Sequence, residues 1–237
     1  MIKGFDALPK RFYKTVETAP EDGGFAVKLD GRVPKSPAKS PLVVPTQALA
    51  RLIAAEWDAQ KEVIDLTAMI ATRRAFTAID QIPSAREAVA DEIANYAGSD
   101  VLCYFAEAPA ALVERQEARW LPLLEWAKDE LGLALDRAEG VVHRDQPPQT
   151  LARAEALALA ADDVTLTALA EATALFGSAV LAFAVQRGRL DAQTALDLSR
   201  LDEIFQIEQW GADEEAAERI ERHRREADSL QAWFAAL

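Results

Sequence analysis

Apolar residues follow two different periods along this chain. Between Gly24 and Leu29 they alternate with other residues, so that Phe25, Val27 and Leu29 share one face. This is the period of a half-buried β-strand. Beyond Thr46 they recur every three to four residues, which is the period of an amphipathic helix. The pattern therefore predicts a short β region followed by a long helical one.

Three segments of the β region are predicted to be strands or turns. Arg11–Thr18 is rich in aromatic and β-branched residues, which favours a first strand ahead of the one at 24–29. Asp30-Gly31 tolerates the positive φ angles of a tight turn. Leu42–Val44 predicts a short edge strand, because the prolines around it cannot donate hydrogen bonds inside a sheet.

The helical region begins at Thr46, whose side chain can accept a hydrogen bond from the first turn of a helix. Glycines and prolines divide the chain beyond it. After the first helix, further helices are predicted near 69–82, 84–97, 109–131, 149–161, 163–187, 191–209 and 213–235. Val101–Phe105 fits a short strand or a buried helical turn equally well. The expected fold class is α+β, with a small β-containing domain over 1–66 and a larger all-α domain over 67–237.

Charge and cysteine content exclude several functions. The chain of 237 residues has a net charge of −13, and residues 66–237 hold 30 Asp and Glu against 16 Lys and Arg. This acidity argues against nucleic-acid binding, which needs a basic surface. A single cysteine, Cys103, excludes an internal disulfide and a cysteine zinc site. The first residues lack the apolar core of a secretory signal, so a cytoplasmic location is expected.

No pattern in the chain predicts catalytic, cofactor-binding or metal-binding residues. Neither a phosphate-binding glycine motif nor a nucleophile elbow occurs. The two histidines, His143 and His223, lie in different elements without the spacing of a metal site. This absence favours a binding function over an enzymatic one.

Two glutamates lie on otherwise apolar helical faces and leave alternatives open. Glu171 is the only charge in the apolar stretch 164–185, and Glu208 shares a face with Leu201 and Phe205. Such a carboxylate is paired with an arginine, contacts a partner, or acts as an acid with a raised pKa. The stretch itself is expected to form a central core helix, since a charge at mid-depth is expensive in lipid.

An ordered set of motifs runs from about residue 11 to about residue 216. In chain order the motifs are Phe12-Tyr13-Lys14 with Val16; Gly24-x-x-Val27-x-Leu29-Asp30-Gly31-Arg32; Ser36-Pro37; Pro41-Leu42 and Pro45-Thr46; Ile53-Ala54-x-Glu56-Trp57-x-x-Gln60; Met69 and Thr72; Tyr96, Asp100, Leu102 and Tyr104; Leu112, Gln116 and Trp120-x-Pro122-Leu123-x-x-Trp126; Phe176-Gly177-Ser178; and Leu201-x-Glu203, Gln206 and Trp210-Gly211. This set resembles the assembly chaperones of the F-type ATP synthase alpha subunit, found in mitochondria and related bacteria. Ile70 departs from the proline that is usual in that family.

The resemblance implies a chaperone without catalytic activity or cofactors. It would bind the free alpha subunit transiently, shield the surface that later meets the beta subunit, and leave during hexamer assembly. Its expected state is a monomer in the bacterial cytoplasm, equivalent to the mitochondrial matrix of organelle relatives. Neither nucleic acid nor stable membrane insertion is expected.

Two groups of residues are predicted to contact the partner under this resemblance. The first lies at a helix end and consists of Glu203, Gln206, Glu208, Trp210 and Gly211. The second consists of Glu56, Trp57 and Gln60, although Trp57 could instead fix the β region onto the helices. An exposed tryptophan beside carboxylates suits a partner surface that is partly apolar and partly cationic.

Two other classes of protein remain as alternatives. A small hydrolase or isomerase would use Glu171 or Glu208 as a buried acid in a closed pocket. A structural subunit of a membrane-associated complex would need the 164–185 helix to be exposed.

Overall fold

The computed structural model describes residues 8–140, 142–211 and 214–237, with side chains for all of these except 214–216. These residues form two compact units. The first unit consists of the described residues up to Ser84 together with Ala235–Leu237, and the second consists of the described residues of Ala85–Phe234. Position 213, the predicted start of the last helix, lies outside the described residues. The predicted division of the domains between residues 66 and 67 stays a prediction.

The first unit contains a three-stranded antiparallel sheet in the order β1 (Val16–Glu21), β2 (Gly24–Leu29) and β3 (Val43–Val44). The edge position predicted for the third strand is confirmed, and Asp30-Gly31 forms a tight turn with positive φ at both residues. β1 begins five residues later than Arg11, because the chain around Lys10 pairs with Val63 instead.

Two helices complete this unit. They are α1 (Gln47–Ala59) and α2 (Ile70–Asp80), separated by a 3-10 turn at Leu66–Ala68. The predicted cap is confirmed, since Thr46 Oγ1 accepts a hydrogen bond from the Leu49 backbone N–H at 3.1 Å. The Thr46 hydroxyl also donates to the carbonyl of Ala236, which ties the C-terminus to this unit.

Helices dominate the rest of the described chain. They are α3 (Ile82–Gly98), α4 (Ala110–Trp126), α5 (Pro148–Leu159), α6 (Asp163–Phe176), α7 (Ala179–Gln186), α8 (Ala192–Ser199), α9 (Leu201–Trp210) and α10 (Glu214–Ala235). A π-helical turn, Ala127–Leu131, extends α4. Val101–Phe105 combines both predicted alternatives: a 3-10 turn at Val101–Cys103 leads into β4 (Tyr104–Phe105), which pairs in parallel with β5 (Ala138–Glu139). The α+β class is confirmed.

Two segments predicted as single helices are each two helices. The 163–187 segment breaks at Gly177, whose φ of 61° is left-handed, and Ser178 then caps α7 by accepting a hydrogen bond from the Leu181 N–H. Glycine reaches this conformation without the steric cost that a Cβ brings. The 191–209 segment breaks at Arg200. Two residues before the break, the Leu198 carbonyl accepts a hydrogen bond from the Trp120 indole N–H at 3.0 Å.

The apolar stretch 164–185 forms the core of the second unit. Every residue of Ala179–Val185 is buried, and most of α6 is buried as well. This burial contradicts the hypothesis of an exposed 164–185 helix. Among the described residues, no helix combines the length and apolarity that crossing a membrane requires.

Candidate partner-binding surface

The first predicted group lies on α9, near its C-terminal end. Leu201 and Phe205 are buried, whereas Gln206, Glu208 and Trp210 are exposed. The Trp210 side chain is 80% exposed, which confirms the prediction of a surface position. A large aromatic ring left in water favours a contact with another protein.

Gly211 terminates this helix directly after the exposed ring. Its φ is 83° and its ψ is 164°, and its N–H donates to the Ile207 carbonyl at 2.8 Å. The chain thereby leaves the helix axis at Gly211, so that Trp210 projects from the last turn.

Glu203 differs from its exposed neighbours, because two arginines hold its carboxylate. Oε1 lies 2.6 Å from Arg219 Nη2, and Oε2 lies 3.4 Å from Arg200 Nη1. Burial by itself raises the pKa of Glu203, but the hydrogen bonds and charges of Arg219 and Arg200 outweigh it and leave the pKa below its ordinary value. Glu203 therefore fixes α9 against α10 as an ionised group.

Glu208 forms an ion pair with an arginine of another helix. Its Oε2 lies 2.8 Å from Arg115 Nη1 on α4, and the Arg115 guanidinium also lies over the Phe205 ring at 5.2 Å. The two residues are 93 positions apart, so no local pattern connects them. Of the alternatives for Glu208, the structure shows pairing with an arginine.

A groove of about 540 Å³ runs beside this ion pair. Apolar side chains of Leu198, Leu201 and Ile204 line it together with charged side chains. Those charged groups are Arg115, Arg119, Asp197 and Glu208. The two arginines were absent from the sequence prediction, because they lie on α4 and reach the groove only through helix packing.

A buried glutamine anchors α9 behind this surface. Gln116 is fully buried; its Oε1 accepts the Ala106 N–H at 2.8 Å and its Nε2 donates to Asp202 Oδ1 at 2.6 Å. Each polar atom of this amide is thus satisfied, which is what burial requires. The hydrogen bond from Gln116 to Asp202 fixes the position of α9 along α4.

The second predicted group lies in the first unit and makes contacts inside it. The Glu56 carboxylate accepts hydrogen bonds from the N–H groups of Ala71 and Thr72 and from the Thr72 hydroxyl, each at 2.7 Å. These N–H groups belong to the first turn of α2, which has no cap from its own side chains. A carboxylate there satisfies free donors and complements the helix dipole.

Trp57 and Gln60 also have partners within the first unit. Trp57 is 6% exposed, its ring meets the Tyr13 ring edge-on at 5.8 Å, and its carbonyl accepts the Tyr13 hydroxyl at 2.7 Å. Gln60 accepts the Asp65 N–H and donates to the Glu56 carbonyl. The structure thus gives this group the packing role that the sequence left open, and its part in partner binding stays a prediction.

The buried-acid hypothesis is wrong in its premise. Glu171 and Glu208 are both exposed to solvent. Each lies on the side of its helix that faces away from the buried apolar residues. Among the described residues, the fully buried carboxylate is that of Asp100, which accepts hydrogen bonds from the Leu102 and Val180 N–H groups, each at 3.1 Å. The described residues include no group of three or more His, Cys, Asp or Glu side chains placed to hold a metal.

Comparisons with known proteins agree with one another. The model of the ATP12 chaperone protein family matches residues 10–128. The mitochondrial protein atp12 of Schizosaccharomyces pombe is 26% identical over 223 residues, covering 88% of this chain and 76% of that protein.

Solved structures match almost the whole chain. The crystal structure of Atp12 from Paracoccus denitrificans is 43% identical, has a TM-score of 0.88, and the match covers 96% of each chain. That of the Atu1473 protein from Agrobacterium tumefaciens is 45% identical with a TM-score of 0.89, covering 97% of this chain and 86% of that one. The resemblance noted in the sequence is confirmed, and this chain belongs to the ATP12 chaperone protein family.

Proposed function

We propose that this protein is an assembly chaperone of the F-type ATP synthase, and that it binds the free alpha subunit transiently. Family membership over the length of the chain is the observation that carries this proposal. A free subunit of an obligate oligomer exposes a large apolar interface, which aggregates unless it is covered. The chaperone covers it, binds more weakly than the beta subunit does, and is then displaced.

The exposed end of α9 supports this function as the contact surface. Trp210 offers an apolar ring, and Glu208 and Gln206 offer polar groups beside it. The groove next to them is lined by apolar side chains and by charges of both signs. Such a surface fits an interface with an apolar centre and a charged rim.

No chemical step is needed for this role, so the proposal includes neither catalysis nor a cofactor. Masking an interface requires only affinity for the client and release when a better partner arrives. The protein would act as a monomer in the compartment where the client folds, the bacterial cytoplasm or its equivalent, the mitochondrial matrix.

Aggregation of the purified alpha subunit tests the proposal. The subunit is diluted from denaturant, and light scattering is followed with and without this protein. We expect suppression at a near-stoichiometric ratio, co-elution on gel filtration, and release when beta subunit is added. Unchanged scattering together with no co-elution would contradict the proposed client.

A matched pair of variants tests the α9 surface separately. Trp210→Ser removes a side chain that is 80% exposed, and Val142→Ser removes one that is 76% exposed elsewhere in the same unit. We expect the first to weaken client binding by on the order of tenfold or more and the second to leave it unchanged. Equal affinities for the two variants would exclude Trp210 as a contact.

A further inference from the structure

A second exposed apolar surface lies in the first unit, on a short ladder distant in sequence from α9. Residues 9–11 pair antiparallel with residues 62–64: the Arg11 N–H donates to the Glu62 carbonyl at 2.9 Å, and the Ile64 N–H donates to the Pro9 carbonyl at 2.8 Å. Lys10 lies opposite Val63, so their side chains share a face.

Side chains alternate from Lys10 to Tyr13. Tyr13 is buried and Arg11 is half-buried, whereas Lys10 and Phe12 are exposed, as are Leu8 and Pro9 before them. Three apolar side chains in or directly beside the ladder are left in water: Phe12 at 72%, Leu8 at 47% and Val63 at 40% exposure. Several exposed apolar side chains at one place are typical of an interaction surface.

The outer edge of the segment has backbone groups that pair with no residue the structure describes. Lys10 and Phe12 point their N–H and C=O groups away from residues 62–64, because hydrogen-bonding direction alternates along a strand. Neither makes a backbone hydrogen bond to a described residue. An open strand edge of this kind can pair with an extended polypeptide.

Arg11 holds this edge in place before any partner arrives. Its guanidinium donates to the carbonyls of Asp58 and Gln60 and lies 4.6 Å from the centre of the Tyr13 ring. Its Nε also donates to the Tyr13 carbonyl at 3.1 Å. An edge ordered in advance loses less conformational entropy when it binds.

The charges around the edge favour an acidic partner. Lys10, Lys14 and Lys61 are exposed, and none forms an ion pair with a described residue. The nearby Asp58 carboxylate is engaged by Arg11, and Asp65 is engaged by the N–H and hydroxyl of Thr67. The exposed Glu62 lies opposite Arg11, on the other face of the ladder from Lys10 and Val63. A second copy of this chain fits poorly, since pairing two such edges brings lysines of like charge together.

We propose that an extended segment of the client subunit, carrying both acidic and apolar side chains, adds as a strand to the free edge at residues 8–12. Its backbone pairs with Lys10 and Phe12, its apolar side chains cover Phe12, Leu8 and Val63, and its carboxylates meet the lysines. This inference rests on the proposed function, from which the identity of the client comes.

Amide hydrogen exchange on the complex with purified alpha subunit tests the strand pairing directly. We expect the Lys10 and Phe12 amides to exchange at least tenfold more slowly in the complex than in the free protein. A complex that forms and leaves both amides unprotected would overturn the inference while the proposed function stands. Failure of the wild-type protein to bind the subunit would overturn both.

Variants test the side chains. Phe12→Ser and the double variant Lys10→Glu with Lys61→Glu are each expected to weaken client binding at least tenfold. The control is Arg32→Glu with Lys35→Glu, which makes the same charge change at exposed positions of the same unit and should bind as the wild type does. Thermal unfolding checks that each variant is folded.

Two results would overturn the side-chain assignment. One is full affinity in both Phe12→Ser and the lysine variant. The other is a dimer of the free protein on sedimentation that Phe12→Ser converts to a monomer, because the edge would then be occupied by a second copy of this chain.

Discussion

Glu56, Asp100 and Glu203 each satisfy hydrogen-bond donors that the fold leaves open. Glu56 supplies the missing cap of α2, Asp100 accepts N–H groups of Leu102 and Val180, and Glu203 joins two arginines. Glu208, in contrast, is exposed to solvent. The distinction matters for function, because a residue needed for stability and a residue needed for partner binding give different phenotypes.

Replacing Glu56 should lower stability before it alters binding. In Glu56→Gln the side-chain amide has one oxygen to accept hydrogen bonds instead of two. Its NH2 group then faces N–H donors at the start of α2 and cannot accept from them. We expect the free energy of unfolding to fall by about 1–2 kcal/mol, measured by urea denaturation. Glu62→Gln, at an exposed position of the same unit, serves as the control. Unchanged stability of Glu56→Gln would favour the partner-contact prediction instead.

Asp100 should make stability depend on pH. Burial raises its pKa from 3.8 to about 6, against the opposing effect of hydrogen bonds from Ser178, Val180 and Leu102. The native state therefore binds this proton more tightly than the unfolded state does. The stabilisation from this proton is complete below about pH 4, is lost as the pH rises through about 6, and amounts to about 3 kcal/mol.

The variant Asp100→Asn isolates this effect, since it has no carboxyl to titrate. We expect the stability of the wild type relative to Asp100→Asn to fall between about pH 4 and about pH 6 and then to level off. Urea denaturation of both proteins across this range measures the difference. A difference that does not change with pH would show that Asp100 titrates alike in the folded and unfolded states.

At the scale of elements, backbone geometry decides where helices and strands stop. The 163–187 segment has continuous helical periodicity, yet it divides because Gly177 and Ser178 supply a left-handed residue and a cap in succession. In the sheet, β2 starts at Gly24, where the backbone of Val44 in β3 comes so close that no side chain fits.

A pair of adjacent glycines provides a test of this close approach. A Cβ at Gly24 would lie 2.3 Å from the Val44 carbonyl oxygen, whereas one at Gly23 would meet no atom within 4 Å. Both residues have positive φ, 150° and 84°. We expect Gly24→Ala to destabilise the protein by about 2–4 kcal/mol and Gly23→Ala by about 1 kcal/mol. Equal thermal shifts in calorimetry would contradict the clash.

At the scale of the whole molecule, charge is divided unevenly between the two ends of the sequence. Residues 1–65 carry ten Lys and Arg against nine Asp and Glu, while residues 66–237 carry 16 against 30, which gives the chain its net charge of −13. The proposed contact surfaces follow this division: α9 lies in the acidic part, and the edge at residues 8–12 has the exposed Lys10, Lys14 and Lys61 in or near it. Together they suit a client that presents both signs of charge.

Client association should therefore depend on salt. Screening weakens long-range attraction between complementary charged surfaces. We expect the association rate with alpha subunit to fall by about tenfold between roughly 50 mM and 500 mM NaCl, with a much smaller change in the dissociation rate. Stopped-flow tryptophan fluorescence or surface plasmon resonance would measure both rates. An association rate independent of salt would contradict electrostatic steering.

The sequence by itself determined the α+β class, the Thr46 cap, the edge strand at 43–44, the exposed Trp210 and, through its ordered motifs, the family. These depend on neighbours a few residues apart or on an order of residues, both of which a sequence displays. Tertiary structure decided that Glu56 caps α2 from 15 residues away, that Arg115 pairs with Glu208 from 93 residues away, and that Glu171 faces solvent. Those outcomes depend on how helices pack, because packing sets which distant side chains meet and which face of a helix is left in water.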